Sequence, residues 1–310
     1  MSSLLTNTSA MVALTTLRNI NDDLATTQNR ISTGLRVSDA SDNAAYWSIA
    51  TTMNSDNDAL SAVQDSLGLG AATVDVAFTA MDQSVEVVSE IKAKLVASTA
   101  PGVDRKKIQS DISELQSQLQ TIADSAVFNG ENWLAEDASA AGYNSDKTVV
   151  GGFTRDASGN ASIQNITIDT SGILLVDTGT DTGLLDKALA GVDGTIVTGA
   201  NMLDFDISAA TDSATDLGQL AQLISGVDGV LSSMTDAATA LGSAKSRIDM
   251  QTEFVKNLSD AVDRGVGQLV DADMNAESTR LQALQTQQQL GIQALSIANS
   301  GSQNILSLFR

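Results

Sequence analysis

Apolar residues return in alternating steps of three and four near both ends of the chain. In the last stretch the beat runs Met274, Glu277, Leu281, Leu284, Gln288, Gly291, Leu295, Ala298, Ser302, Ile305 and Phe309. In the first it runs Ala10, Leu14, Leu17, Asn21, Leu24, Gln28, Ile31 and Leu35. A 3.5-residue repeat is the seam of helices that pack along their length against other helices. Each stripe is too narrow for a globular core and has no mate within its own segment. The two ends are therefore mates for each other, for other copies of the chain, or for both. The candidate self-assembly residues are Leu14, Leu17, Leu24, Ile31, Leu35, Leu281, Leu284, Leu295, Ile305, Leu308 and Phe309. Asn21, Gln28 and Gln288 stand on the same seams. Polar groups at such positions fix register and partner number, or else mark a wet edge.

Between the ends the pattern predicts a rod. Ser38-Asp39-Ala40-Ser41-Asp42-Asn43 reads as a polar turn and helix cap, a metal loop being the other use of its carboxylates. Ala44 to Met53, with Tyr46 and Trp47, is expected as a short helix or an irregular link. From Asn57 the beat is regular through Leu60, Val63, Leu67, Gly70, Val74, Ala77, Met81, Ser84, Val88, Ile91 and Leu95. Pro101-Gly102 breaks it, and Asp104 caps a second helix carrying Ile108, Ile112, Leu115, Leu119, Ile122 and Ala126. The short connection makes the pair an antiparallel hairpin, which Phe128-Asn129-Gly130 ends. From about Lys147 the composition turns to Gly, Thr, Asp, Ser and β-branched residues, with strands expected over 148–154, 161–169 and 173–176. Helical periodicity resumes near Asp216 and continues through Leu220, Ile224, Val227, Leu231, Met234, Leu241, Ile248 and Val255 to the final segment.

The expected fold class is mainly α, a long coiled-coil-like helical bundle formed by the N- and C-terminal segments, with a small β-containing insert in the middle. The expected division is 1–42 with 268–310 as a terminal-helix core domain, 43–146 with 205–267 as a helical rod, and 147–204 as a small β-rich outer domain.

Composition narrows the function. Aromatics make up 3% of the chain, and the one proline leaves the helices without their strongest breaker. There is no cysteine and no histidine, which removes thiolate chemistry, the commonest general base and the commonest metal ligand. No catalytic residue, cofactor or metal is expected. The formal charge of −21 argues against nucleic acid. Residues 1–36 carry Arg18, Arg30 and Arg36 against Asp22 and Asp23, while 268–310 carry Arg280 and Arg310 against Asp271, Asp273 and Glu277. The two ends are together neutral and the whole excess lies between them. Neutral ends can crowd against copies of themselves; an acidic middle stays solvated. No apolar run reaches the length of a membrane span. Residues 1–7 lack the basic and apolar blocks of a secretory signal, so the expectation is a cytosolic chain or one exported without a cleaved signal.

Two calcium-like patterns fail. Asp271-Ala272-Asp273-Met274-Asn275 has Ala276 and Gln282 where a calcium loop needs Gly and Glu, so Asp271 and Asp273 are read as caps of the last helix. Asp177-Thr178-Gly179-Thr180-Asp181 is read as a turn. Asn160-Ala161-Ser162 and Asn165-Ile166-Thr167 match the glycosylation triplet, a weak signal without a secretory leader.

The ends carry a resemblance. Gln28-Asn29-Arg30-Ile31-Ser32-Thr33-Gly34-Leu35-Arg36-Val37, then Ala40, Asp42, Ala44 and Ala45, resembles the N-terminal signature of bacterial flagellins. Leu241-Gly242, Arg247-Ile248, Asp271-Ala272-Asp273-Met274, Glu277, Gln288-Gln289, Gly291, Ala298-Asn299, Gln303 and Ile305-Leu306-Ser307-Leu308 resemble the C-terminal one. Arg30, Gly34, Arg36, Asp42, Asp271, Asp273 and Met274 are the motif positions. The short middle and Tyr46-Trp47 resemble the compact flagellins of alpha-proteobacteria such as rhizobia. The resemblance implies a structural subunit, not an enzyme, that assembles into the helical filament for swimming motility. It implies an extracellular place in the flagellum, and as partners itself, the hook-associated and cap proteins, the type III export apparatus and an export chaperone. A hook–filament junction protein shares these ends, and a cytosolic coiled-coil scaffold would share the seams but not Gly34 or Asp-Ala-Asp-Met. Flagellins detected by the animal innate-immune receptor carry Gln-Arg-x-Arg-Glu-Leu on the first long helix. Here Ser89-Glu90-Ile91-Lys92-Ala93-Lys94-Leu95 stands in its place, so Glu90, Lys92 and Ala93 form an altered epitope with weak or no recognition expected. The plainer reading of the same stretch is a solvated Glu90–Lys94 ion pair, which is compatible with lost recognition.

Overall fold

The computed structural model describes residues 7–156, 158–189 and 201–307, with side chains as far as residue 301. Five helices carry the described chain: α1 Thr8–Thr33, α2 Ala44–Ser98, α3 Arg105–Ser125, α4 Ala214–Val270 and α5 Met274–Ser307. Short strands β1 Val127–Phe128, β2 Glu131–Asn132, β3 Ala135–Glu136, β4 Asp146–Arg155, β5 Ala161–Asp169 and β6 Val176–Asp177 fall between α3 and α4. The mainly helical class with a small strand-bearing middle is as expected. The rod differs in one respect: 44–53 is no link but the first part of α2, one helix of 55 residues. Nothing between Ala44 and Ser98 breaks it, since the two glycines there, Gly68 and Gly70, remain helical. At 1.5 Å per residue it is about 80 Å long.

The chain divides into two compact units, Met1–Asp58 with Ser259–Arg310, and Ala59–Leu258. These limits differ from the three-part division expected from composition. The reason is packing: the strands of the middle segment share a core with the rod helices. That core gathers Leu67, Val74, Met81, Ile91 and Leu95 of α2, Ile112 and Leu119 of α3, and Leu220, Val227, Met234, Leu241 and Ile248 of α4. Val149 of β4, Ile168 of β5 and Leu134, Leu175, Met202, Phe205 and Ile207 of the connecting loops belong to the same cluster.

Within this second unit α2 and α4 run antiparallel in constant register. Lys92 pairs with Asp228 and Lys245 with Asp75, while Gly242 faces Phe78. The turn between α2 and α3 contains Gly102 at φ +77°. Asp104 caps α3 by accepting from the Lys106 N–H. Arg105, 6% exposed, donates to Ser98 C=O and to Asp212 at 2.7 Å, joining the end of α2 to the approach to α4. Gln109 and Gln116 of α3 bind backbone groups of Met202, Phe205 and Ile207. A loop without regular structure thereby has its buried peptide groups satisfied.

The strands are simpler than the sequence suggests. β4 and β5 form one antiparallel hairpin with an irregularity at Gly151. The segment 173–175 expected as strand is a turn, and only Val176–Asp177 pairs, in parallel with β3. β1, β2 and β3 are too short to show in the pattern; β1 and β2 close on Asn129 (φ +51°) and Gly130 (φ +85°), both left-handed. Asn-Gly is the pair such tight hairpins favour.

Candidate self-assembly surface

The first unit is built on α1 and α5, packed antiparallel. Asn7 caps α1 and its side-chain amide donates to Ala298 C=O at 3.0 Å. Gln288 donates to Asn21 Oδ1 at 2.6 Å, and Arg30 Nη1 meets Glu277 Oε1 at 3.1 Å. Gly34 ends α1 at φ +74°, its N–H donating to Arg30 C=O, and its own C=O accepts from the Ala272 N–H. Only glycine takes that left-handed step at no steric cost. The pair closes tightly because Gly291 has no side chain: a Cβ there would stand 3.1 Å from a Leu17 methyl.

The inner face of α5 is the one its sequence marks, with Glu277, Leu281, Leu284, Gln288, Gly291, Leu295 and Ala298 turned inward. The inner face of α1 is not. Ala10, Leu17, Leu24 and Ile31 lie toward α5, but they are joined by Ala13, Ile20 and Thr27 instead of Leu14, Asn21 and Gln28, which are exposed. Both rows keep a three–four beat and share every second position, so periodicity alone cannot choose between them. Ile20 fills the place beside Gly291 that the seam would give to Asn21. Asn21 and Gln288 bridge the helices at an exposed edge, and Gln28 is exposed.

Leu35 lies in a second small cluster with Val37, Ala50, Met53, Val262, Val266, Leu269 and Val270. The Arg36 and Val37 N–H groups donate to Val270 C=O, and the Arg36 guanidinium donates to Leu269 C=O. Asp42 accepts from the N–H and hydroxyl of Ser38, Asp39 accepts from Ser41, and Asn43 caps α2. The bonds from Ser38 hold the Asp42 carboxyl below its usual range, as those from Ser41 do for Asp39. Their contribution is present above the unfolded value and is lost as pH falls through the lowered one. These carboxylates are occupied as turn acceptors. Asp273 caps α5 by accepting from Asn275 and Ala276. Asp271 does not cap it: it follows α4, bridges Leu35, and its carboxylate lies 2.6 Å from where a Cβ of Gly267 would be. Met274 is 42% exposed. The side chains of Ile305, Leu308 and Phe309 lie outside the described residues.

What the seam does not mark is the outward face. Met11, Val12, Leu290, Ile292 and Ile297 are 55–73% exposed, and Leu14 joins them at 39%. All but Leu14, itself a seam position, stand off the strict seam, and the available signal was an apolar sector wider than one stripe.

On α2, Glu90 and Ala93 are exposed and Lys92 is engaged by Asp228. The expected Glu90–Lys94 pair is replaced by Lys94 to Asp111 of α3 at 2.7 Å, because the neighbouring helix presents its carboxylate closer than the residue four back. Asp111 raises the Lys94 pKa by that hydrogen bond, with Glu90 adding a smaller share.

Comparison with known proteins agrees with this architecture. Residues 4–139 match the bacterial flagellin N-terminal helical region and residues 224–309 the bacterial flagellin C-terminal helical region. Flagellin C of Rhizobium meliloti (strain 1021) is 53% identical over 322 residues, with all of both chains covered. Flagellin A of the same strain is 48% identical, and a flagellin of Brucella melitensis biotype 1 is 46% identical over 311 residues, again covering both chains completely. A crystal structure of Bacillus cereus flagellin is similar at 16% identity and a TM-score of 0.41, covering 61% of this chain and 88% of that one. Two helical end regions matched in order, and relatives matched from end to end, place the chain in the bacterial flagellin family.

Proposed function

We propose that the α1–α5 pair is where copies of this chain join. The chain is a structural subunit of the flagellar filament, a component of the cell exterior. The observation that carries the choice of surface is the apolar outward face of the pair. Val12 and Ile297 are 67% and 73% exposed in a single chain, and so many large apolar side chains left in water on one helix pair favour an interaction site there. Near-neutral charge over 1–36 and 268–310 supports the same choice, since many copies can meet there without repulsion. The role is structural and not catalytic. The terminal-helix part, 1–42 with 268–310, is proposed to line the filament core, with the acidic middle outward. Hook-associated and cap proteins, the type III export apparatus and its chaperone are proposed as partners on the strength of the family. No nucleic-acid partner is proposed, because the −21 charge repels phosphates. Among the described residues no helix is long and apolar enough to cross a membrane.

We further propose weak recognition by the innate-immune flagellin receptor. Glu90 reverses a charge at the altered epitope, Ala93 lacks one, and Lys92 is already paired with Asp228. In a receptor reporter assay the monomer should signal far more weakly than an enteric flagellin; equal potency would refute this.

The polymerisation test uses positions exposed in the monomer. Leu290→Asp and Ile297→Asp should leave the circular dichroism and unfolding of the monomer unchanged yet abolish filaments in sedimentation and electron microscopy. A desolvated charge at a repeated contact costs several kcal/mol where it is unpaired. Ile163→Asp on β5, at an equally exposed site, should polymerise normally. Filaments from the first two variants, or their loss in the third, would overturn the assignment.

A further inference from the structure

Two buried aspartates in the strand-bearing segment are treated in opposite ways by their surroundings. Asp177, at the end of β6 and 1% exposed, has its acceptors filled. Oδ1 accepts from the N–H groups of Ala138 and Gly179 at 3.0 Å, and Oδ2 from the hydroxyls of Thr180 and Thr182 at 2.5 and 2.6 Å. It is an anion held by four donors, and the threonine hydroxyls push its pKa far down. Asp186, 7% exposed, accepts from the Asp177 N–H at 2.6 Å on Oδ2 and from its own backbone N–H. Its Oδ1 is buried without a hydrogen-bond partner.

The chain around Asp186 is otherwise well fastened. Leu184 and Leu185 donate to the carbonyls of Leu174 and Leu175, and Met202 donates to that of Leu185. Oδ1 and the Leu175 carbonyl oxygen each lie 2.6 Å from where a Cβ of Gly183 would stand, so they are at most twice that distance apart. The orphaned oxygen has no donor among the described residues, so an ionised Asp186 would leave buried charge there without a hydrogen bond. Among the described residues no cation faces it to take that place. Asp177 and Asp181 are like charges, Glu136 of β3 is held by Lys147, and Asp137 accepts from Ser139. Lys187 is exposed. On α4 the residues against 184–189 are Ser225, Gly226, Gly229, Val230 and Ser233, none of them charged.

We propose that Asp186 is a neutral acid in the folded chain, with its proton on the unpartnered Oδ1, and that it forms a latch on segment 176–187 which protons close and alkali opens. Ionisation leaves a buried, unpaired carboxylate beside the Asp177 anion, and the segment releases Asp186 to water. Burial first, and Asp177 and Asp181 after it, raise the Asp186 pKa. The sign follows: stability from a raised acid is complete below the unfolded value and is lost as pH rises through the folded one.

The test is made on the full-length monomer. The Asp186 carboxyl carbon, identified by its loss in Asp186→Asn, should titrate at higher pH than the exposed aspartates. Hydrogen exchange of the 176–187 amides, taken as the ratio of wild type to D186N at each pH, should rise by up to tenfold per pH unit between the ordinary and the raised value, then level off. The amide keeps a donor without a charge, so D186N should fold and hold the segment closed across that range. A carboxyl that titrates with the exposed aspartates, a ratio independent of pH or falling with it, a D186N that fails to fold, or closure by calcium instead of protons would each overturn the latch.

Discussion

At the scale of single residues, the turn from α1 into the loop rests on Gly34. Its φ is +74° and a Cβ placed there would meet nothing within 4 Å, so the cost of a side chain is purely one of backbone conformation. Gly34→Ala should therefore cost about 1–2 kcal/mol in thermal unfolding of the first unit, and Gly34→Asn less, since Asn tolerates the left-handed region. Arg30 is the second such residue. Its ion pair neutralises Glu277, whose side chain is 11% exposed and whose Oε2 is buried without a hydrogen-bond partner. Arg30→Gln should lower stability by about 1–3 kcal/mol, the range for leaving a buried polar group poorly satisfied. Arg30→Gln combined with Glu277→Gln should recover part of that loss, both variants being measured by urea titration.

At the scale of elements, the β4–β5 hairpin is seated on the helices by a missing side chain and two polar clamps. A Cβ at Gly70 of α2 would stand 2.4 and 2.7 Å from the two Val149 methyls. Gln251 of α4 donates to Gly151 C=O and Arg247 to Thr167 C=O, each at 2.7 Å. Val149 is β-branched and stiff at χ1, so it cannot step aside. Gly70→Ala should destabilise the second unit by about 1–3 kcal/mol through overpacking, and the double variant with Val149→Ala should regain most of it. Loss that Val149→Ala does not relieve would mean the hairpin is seated elsewhere.

At the scale of the whole molecule, burial is unequally shared. In the α1–α5 pair only Thr27, Glu277 and Leu284 are buried among the described residues, whereas the second unit has a continuous apolar core from Leu60 to Val255. Ordering a residue costs about 1–2 kcal/mol, and a helix pair with so little burial offsets that poorly. Limited proteolysis of monomer should therefore trim the ends first, by roughly 40 residues each, and leave a resistant fragment containing 59–258. In filaments the same sites should be protected. Equal protection of the ends in monomer would show that the pair is stable without neighbours.

The sequence by itself determined the features that are local or strictly periodic. The 3.5-residue beat located the helices, and the inner face of α5 follows it from Glu277 to Ala298. Gly34 and Asp273 act as helix stop and start because one residue's conformation or one side chain suffices for each. The tertiary structure decided what depends on a neighbour. Ile20 rather than Asn21 faces inward because Gly291 lets α5 approach there, and Lys94 turns to Asp111 because α3 brings that carboxylate within reach. The two-residue strands β3 and β6 find each other across the intervening hairpin, with no run long enough to leave a pattern. Nothing in the sequence separates Asp177 from Asp186; only the donors that folding brings to one and withholds from the other make them different acids.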